Sequence, residues 1–326
     1  RRATVMPNYN GVWSLSTQYQ YVGDWPSPPQ FALIMGGGVN TGSVPVTDVV
    51  QKINITTAGN ATDFGNLSVA KSAGAGAASA TRALYGGGHT TNAGSNSLDV
   101  IEFFTIASAG NGTDFGDLSA ARNSLDACSN STRAVFGGGL PSGSSSKQNI
   151  MEYVTIASAG DVTDFGDLTV ARDVLAGNIA SATRGVFAGG ESNSNVIDYI
   201  TIGSAGDATD FGDLTVGRGS VAGLSSSVRG VISGGDTNTT VNTIDYITIA
   251  STGDASDFGD LTAVTKDHAG VAGSNTGLFA GGRQSSYTDQ IQFITIASTG
   301  NAADFGNLLS ARTLVRGASS AHGGLG

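Results

Sequence analysis

The sequence predicts an all-β chain folded as a six-bladed β-propeller, with four antiparallel strands in each blade. Three observations predict it. The tetrapeptide Thr-Asp-Phe-Gly, or a close variant, returns six times, with its aspartates at Asp63, Asp114, Asp164, Asp210, Asp257 and Asp304, spaced 46–51 residues apart. A glycine run after a short apolar stretch keeps step with it, ending at Gly38, Gly88, Gly139, Gly190, Gly235 and Gly282. Self-similarity at this period marks an array or a propeller built from one supersecondary unit. The two ends are also complementary. The first unit starts at a second strand, from Gln30, and after the last unit the chain from Arg312 reads as a first strand with no unit left to join.

The elements follow in order. Residues 1–29 form a non-repeating arm that carries both tryptophans, Trp13 and Trp25, with Tyr9, Tyr19 and Tyr21. Aromatics on such an arm favour docking, on its own blades or on a partner. Residues 30–326 form the propeller, with blade boundaries near 71, 121, 171, 217, 264 and 311. In the unit from Arg172 to Gly217, the first strand is small and weakly apolar, which suits the crowded axis. The second ends in a glycine pair. The third alternates Ile197, Tyr199 and Thr201 against Val196, Asp198, Ile200 and Ile202, a β-branched and aromatic pattern. The fourth carries the repeated phenylalanine: Phe64, Phe115, Phe165, Phe211, Phe258 or Phe305. Bulk there fills the gap that widens between blades. Residues 312–322 close the ring, with Leu314–Ala321 beside Phe31–Met35, which removes an open sheet edge.

Composition sets the outer bounds. Glycine is 49 of 326 residues and charged residues are only 13%, below the usual quarter, as expected for many short strands and turns. A net charge of −10 argues against nucleic acid as a partner. No apolar run is long enough to span a bilayer, so no membrane insertion is expected. A single cysteine, Cys128, rules out an internal disulfide. The chain starts at Arg1 rather than at a methionine, which fits a processed product. No nucleophile elbow or zinc-protease motif occurs, so no catalytic residues and no cofactor are expected.

Several residue sets invite a functional reading. The glycine runs lack the Lys-Ser or Lys-Thr of a phosphate loop, and backbone room explains them. The acidic turns Asp161, Asp164, Asp167 and their counterparts could ligate Ca²⁺. Asparagine takes the outer positions in blades one and six (Asn60, Asn66, Asn301, Asn307), which points to Asx-type hydrogen bonding and no metal. Arg122, Arg172, Arg218 and Arg312, with Lys71, and a second set of Arg82, Arg133, Arg184 and Arg229, follow the repeat. They are expected to pair blade to blade with the repeated aspartates. His89, His268, His322 and Cys128 share no metal-ligand spacing. The loops after the glycine pairs break the repeat, and variable polar loops on a rigid scaffold are where binding resides. Arg283, Ser285, Ser286 and Tyr287 in one loop, His89 in another and Asn238 in a third are the candidate binding residues. Trp13, Trp25, Tyr19 and Tyr21 are the candidate docking residues of the arm.

The Gly-Gly pair ending at Gly190, then Tyr199, Phe211, Leu214 and Arg218, resembles a kelch repeat, and the other units run parallel over residues 30 to 322. Phe stands where kelch units have Trp in all six copies, so the resemblance is to a divergent kelch-like group. Segments such as YITIASTGDASDFGDL (residues 246–261) and the leader from Gly11 to Pro26 are similar to repeat-containing structural and tail-associated proteins of tailed, particularly marine, phages. That resemblance implies a non-enzymatic virion protein, part of the extracellular particle, whose loops bind a host-surface glycan or protein. Its partners would be other virion proteins, and a homo-oligomer is compatible with it. The alternatives are a purely architectural or decoration subunit contacting sister proteins, and a glycan-processing enzyme. A buried, asymmetric pair of carboxylates would favour the enzyme.

Overall fold

The computed structural model describes residues 29–39, 46–91 and 96–325. Over these residues the chain forms six blades of four antiparallel strands, five of them in sequence order from axis to rim. Blade five is typical, with strands Ala222–Ser225, Arg229–Ser233, Thr243–Thr248 and Ser256–Asp260. Blade one is assembled from both ends of the chain. Arg316–Ser319 pairs with Phe31–Met35, placing Ala32 opposite Ser319 and Met35 opposite Arg316. This is the closure expected from the sequence, in a shorter strand. The outer strand of blade six, Ala303–Thr313, runs on beyond its sheet and also pairs with Gly38–Val39.

First strands are buried, Asn178 of blade four alone being half-buried, and they pack backbone to backbone. A Cβ on Gly76, Gly223 or Gly270 would lie 2.0–2.2 Å from a carbonyl oxygen of the neighbouring first strand, so only hydrogen fits there. Serine and alanine alternate near the ends of these strands. Ser129, Ser225 and Ser319 accept bonds of 3.1, 2.9 and 3.3 Å from the amides of Ala78, Ala180 and Ala272, which links the blades in three pairs. The core lies between blades as six apolar clusters. The fourth-strand phenylalanines are buried in them and meet third-strand rings edge to face, as Tyr199 and Phe211 do at 6.0 Å and 80°. Blade one exchanges two of these roles. Phe31 supplies the ring from the second strand and Lys52 the cation from the third, 3.7 Å apart, where blade two sets Arg82 over Phe103 at 4.3 Å.

Two rings of backbone hydrogen bonds run around the molecule. At the axis, Ala73, Ser124, Val174, Ser220, Asp267 and Leu314 all adopt φ of 46–57°. Each donates its N–H to the carbonyl of the one before, and Ala73 donates to Leu314, at 2.7–3.0 Å. The left-handed backbone costs each of them about 1–2 kcal/mol, and the bond it aims around the axis offsets about 1 kcal/mol of that. At the rim, the carbonyl of each repeated phenylalanine accepts from a glycine of the next blade, from Gly110 on Phe64 through Gly59 on Phe305, at 2.6–3.0 Å.

Candidate functional site

The repeated polar residues are committed to joining blades. Their partners differ from those expected. Lys71, Arg122, Arg172 and Arg218 pair with Glu102, Glu152, Asp198 and Asp245 on the third strand of the blade they lead into, not with the aspartates of the acidic turns. The Lys71–Glu102 and Arg218–Asp245 separations are 2.7 and 2.9 Å, with every one of these side chains buried. At the next junction both charges are gone, and Thr265 and Gln292 take the two places. At the closing junction Gln51 stands at the position of the carboxylate and Arg312 at that of its partner. Among the described residues Arg312 bonds only to the carbonyls of Gly36 and Val49 and to the Ser310 hydroxyl, and burial pushes its guanidinium down to about 10. The second arginine set caps carbonyls of the following blade, as Arg184 does on Ile249 at 2.8 Å while lying 4.2 Å over the Tyr199 ring.

The acidic turns also act between blades rather than within a local Asx turn. Asp161, Asp207 and Asp254 accept from the amides of Asp117, Asp167 and Asp213 at 3.0–3.1 Å. Asn60, Asn111 and Asn301 do the same for Asn307, Asn66 and Asp260. Only an oxygen acceptor is needed, which is why Asp and Asn interchange.

The histidines lie apart from one another. His89 is 5% exposed and bonded through its backbone to Ser72, so it is not displayed on the face as the sequence suggested. Burial lowers its pKa. His268 is pushed down to about 3 by burial, with Nε2 2.8 Å from the Ser233 hydroxyl. His322 Nε2 lies 2.9 Å from the Ala78 carbonyl, and its Nδ1 accepts from Gly324 N. It belongs to residues 321–325, which cross the axial mouth opposite the loops and border a cavity of about 270 Å³ there. Cys128 is buried, and desolvation raises its thiol pKa.

Two inner carboxylates break the symmetry. Asp126 accepts from the amides of Ala127 and Gly177, and Asp267 bonds to Ser220. Burial raises both, and the nearby Arg316 opposes that rise. Their bonds go to backbone and serine rather than to each other.

Antiparallel order sets the loops after the glycine pairs on the same face as the connectors between blades. On that face, between blades four and five, lies an open cleft of about 520 Å³. Val174 and Ser220 of the axial ring form its inner side, Ser192 and Asn193 one rim, and Asp236, Asn238 and Lys266 the other. Lys266 is ion-paired with Asp236. Glu191, also in the lining, is held by Lys147 of blade three at 3.0 Å, and the same ammonium bonds Ser192 at 3.0 Å. Asp173 lies 3.8 Å from Lys147 and is pushed up to about 6, by burial first and by Glu191 second.

The structure therefore brings some candidates together. Asn238 lines the cleft. Arg283 exchanges backbone bonds of 2.7 and 3.0 Å with Lys266, which places its loop beside the cleft, and it is bridged to Tyr287. Arg283, Ser285 and Ser286 are exposed and Tyr287 half-buried. Trp13, Trp25, Tyr19 and Tyr21 lie outside the described residues. Lys266, Asp236, Asn193 and Ser220 escaped the sequence reading. Their signal was departure from the repeat: Lys266 occupies a position that is Ser72, Asn123, Asp173 and Gly219 in earlier units. A scan against protein-family models finds no family that matches this chain, and a search of curated proteins finds no match either.

Proposed function

We propose that this protein is a non-enzymatic binding module, a virion component of a tailed phage, that attaches through its loop face to a host-surface glycan or protein. One observation carries the reading. The repeated polar side chains are spent on blade-to-blade bonds, while the polar residues that depart from the repeat gather on one face around an open cleft. A rigid ring with variable polar loops at one end is a common arrangement for recognition. The divergent kelch-like pattern supports the same use of the loops, and the segments similar to tail-associated proteins support the virion setting. The test is a glycan array and host-cell attachment with the intact chain, against the double variant Arg283→Ala, Tyr287→Ala. Attachment lost at unchanged melting temperature supports the reading. No attachment by the intact chain defeats it.

A second reading, an architectural subunit that contacts sister proteins, is favoured by a different observation. Val69, Val170, Val216 and Val264 on the connectors of that face, and Leu309 on the extended outer strand of blade six, are 45–54% exposed, at five of the six blade junctions. Changing Val170 and Val216 to Ser would then remove virion incorporation and leave glycan binding intact.

A further inference from the structure

We infer that the cleft between blades four and five is a subsite for one pyranose-sized sugar, neutral or bearing an amine, and that it rejects sugars carrying carboxylate, sulfate or phosphate. The inference rests on the proposed binding function and specifies its ligand.

The volume of about 520 Å³ lies within the range of small-ligand sites. Its chemistry is that of hydroxyl recognition. Asn193 and Asn238, both exposed, line the cleft at opposite rims, and their side-chain amides bond to no group among the described residues. Each offers two donors and an acceptor, and the Asp236 carboxylate on the rim of Asn238 accepts only. A sugar hydroxyl both donates and accepts, so adjacent hydroxyls can bridge an amide and a carboxylate at once. The Lys266 ammonium fixes that carboxylate in place. The lining contains no aromatic ring, so recognition here is by hydrogen bonds without stacking.

The backbone is set in advance. Val174, Ser192, Asn193, Ser220 and Asn238 are five of the ten non-glycine residues with positive φ among the described residues, and all five line this one cleft. Such conformations persist where surrounding structure over-determines them, and pre-set groups lower the ordering cost of binding.

The charge balance gives the selectivity. Asp236 and Glu191 lie in the wall, and behind it Asp173 and Asp267 are pushed toward the neutral form by burial, with Arg316 and Arg283 also acting on Asp267. The two lysines that reach the wall, Lys266 and Lys147, are each already paired with carboxylates. Lys266 and Lys147 balance Asp236 and Glu191, so an anionic sugar finds no unpaired lysine in the lining, whereas an amine can share the exposed Glu191 carboxylate.

The test is saturation-transfer NMR on the intact chain, with methyl glycosides of glucose, galactose and mannose, with glucosamine, and with glucuronic and N-acetylneuraminic acids. Saturation transfer is expected for at least one neutral or amino sugar, with Kd on the order of 1 mM, and none for the two acids. Asn193→Gly and Asn238→Gly remove the amides while glycine takes the left-handed backbone without strain. Each should weaken binding about tenfold, the value of one hydrogen bond to a ligand, at unchanged melting temperature. Transfer to the acids as strong as to the neutral sugars overturns the inference, and so does binding unchanged in both glycine variants. If host attachment persists and follows Arg283 and Tyr287 while these glycine variants bind normally, the cleft assignment fails and the wider binding function stands. If the intact chain attaches to nothing, both fail.

Discussion

Gln51 stands where four other blades carry a carboxylate, and it leaves Arg312 as a buried guanidinium with no counter-charge. Removing one member of a buried pair typically costs 3–5 kcal/mol, so supplying the missing member should recover part of that. Gln51→Glu is expected to raise the stability of the chain by about 2 kcal/mol, read as a higher denaturant midpoint at pH 7. A lower midpoint would show that the closing junction does not share the geometry of the others. His268 makes a pH prediction. Burial holds it at about 3 in the folded chain, against the ordinary 6.5 when unfolded. Below pH 6.5 the unfolded chain takes up a proton that the folded chain refuses. The stability His268 provides is thus complete above about pH 6.5 and is lost as pH falls toward 3, at about 1.4 kcal/mol per pH unit. His268→Gln should flatten that slope between pH 6 and 4. An unchanged slope would contradict the burial assigned to it. Asp173 acts in the opposite sense: pushed up to about 6, it favours the folded chain more as pH drops from 6 toward 3.8.

Among elements, the fourth strand shows what sequence spacing can reveal. The six Thr-Asp-Phe-Gly strands, the glycine-ended second strands and the closing strand were all legible, because each is a local pattern that a fixed period repeats. The partners of the polar repeats were not. Asp161 looks like a local turn residue, yet its acceptor oxygen serves Asp117 in the previous blade, 44 residues away. Glu102, Glu152, Asp198 and Asp245 were hidden in a third strand whose aromatic and β-branched pattern drew the attention. The axial ring was invisible for a stronger reason. Ala73, Ser124, Val174, Ser220, Asp267 and Leu314 share no chemistry, because what they contribute is backbone conformation imposed by closure. His89 shows the converse: a residue that breaks the repeat in a polar loop, but whose side chain packs inward. The acidic turn yields a clean substitution test. Asp207→Asn should leave stability within about 0.5 kcal/mol, because Asn60, Asn111 and Asn301 already fill this role, and Asp207→Ala should cost about 1 kcal/mol for the lost bond. EDTA should not shift the melting temperature of the wild-type chain. A large fall in chelator would show that these turns hold a metal.

At the scale of the whole molecule, closure and binding are separate properties of one ring. Deleting residues 312–326 removes Arg316–Ser319 from blade one, Leu314 from the axial ring and Arg312 from the closing junction. The edge of Phe31–Met35 is then unpaired, and aggregation or a large loss of stability is expected in size-exclusion and melting measurements. A truncated chain that stays monomeric and melts unchanged would refute the closure. The central claim is that residues following the repeat build the ring and residues departing from it bind. Glycan binding and melting temperature measured together on two variants test it most directly. Phe211→Ala should lose roughly 3–5 kcal/mol of stability while the protein that remains folded binds with unaltered affinity, and Asn238→Gly should bind about tenfold more weakly at an unaltered melting temperature. The opposite pairing, binding abolished by Phe211→Ala in folded protein and untouched by Asn238→Gly, would contradict the account.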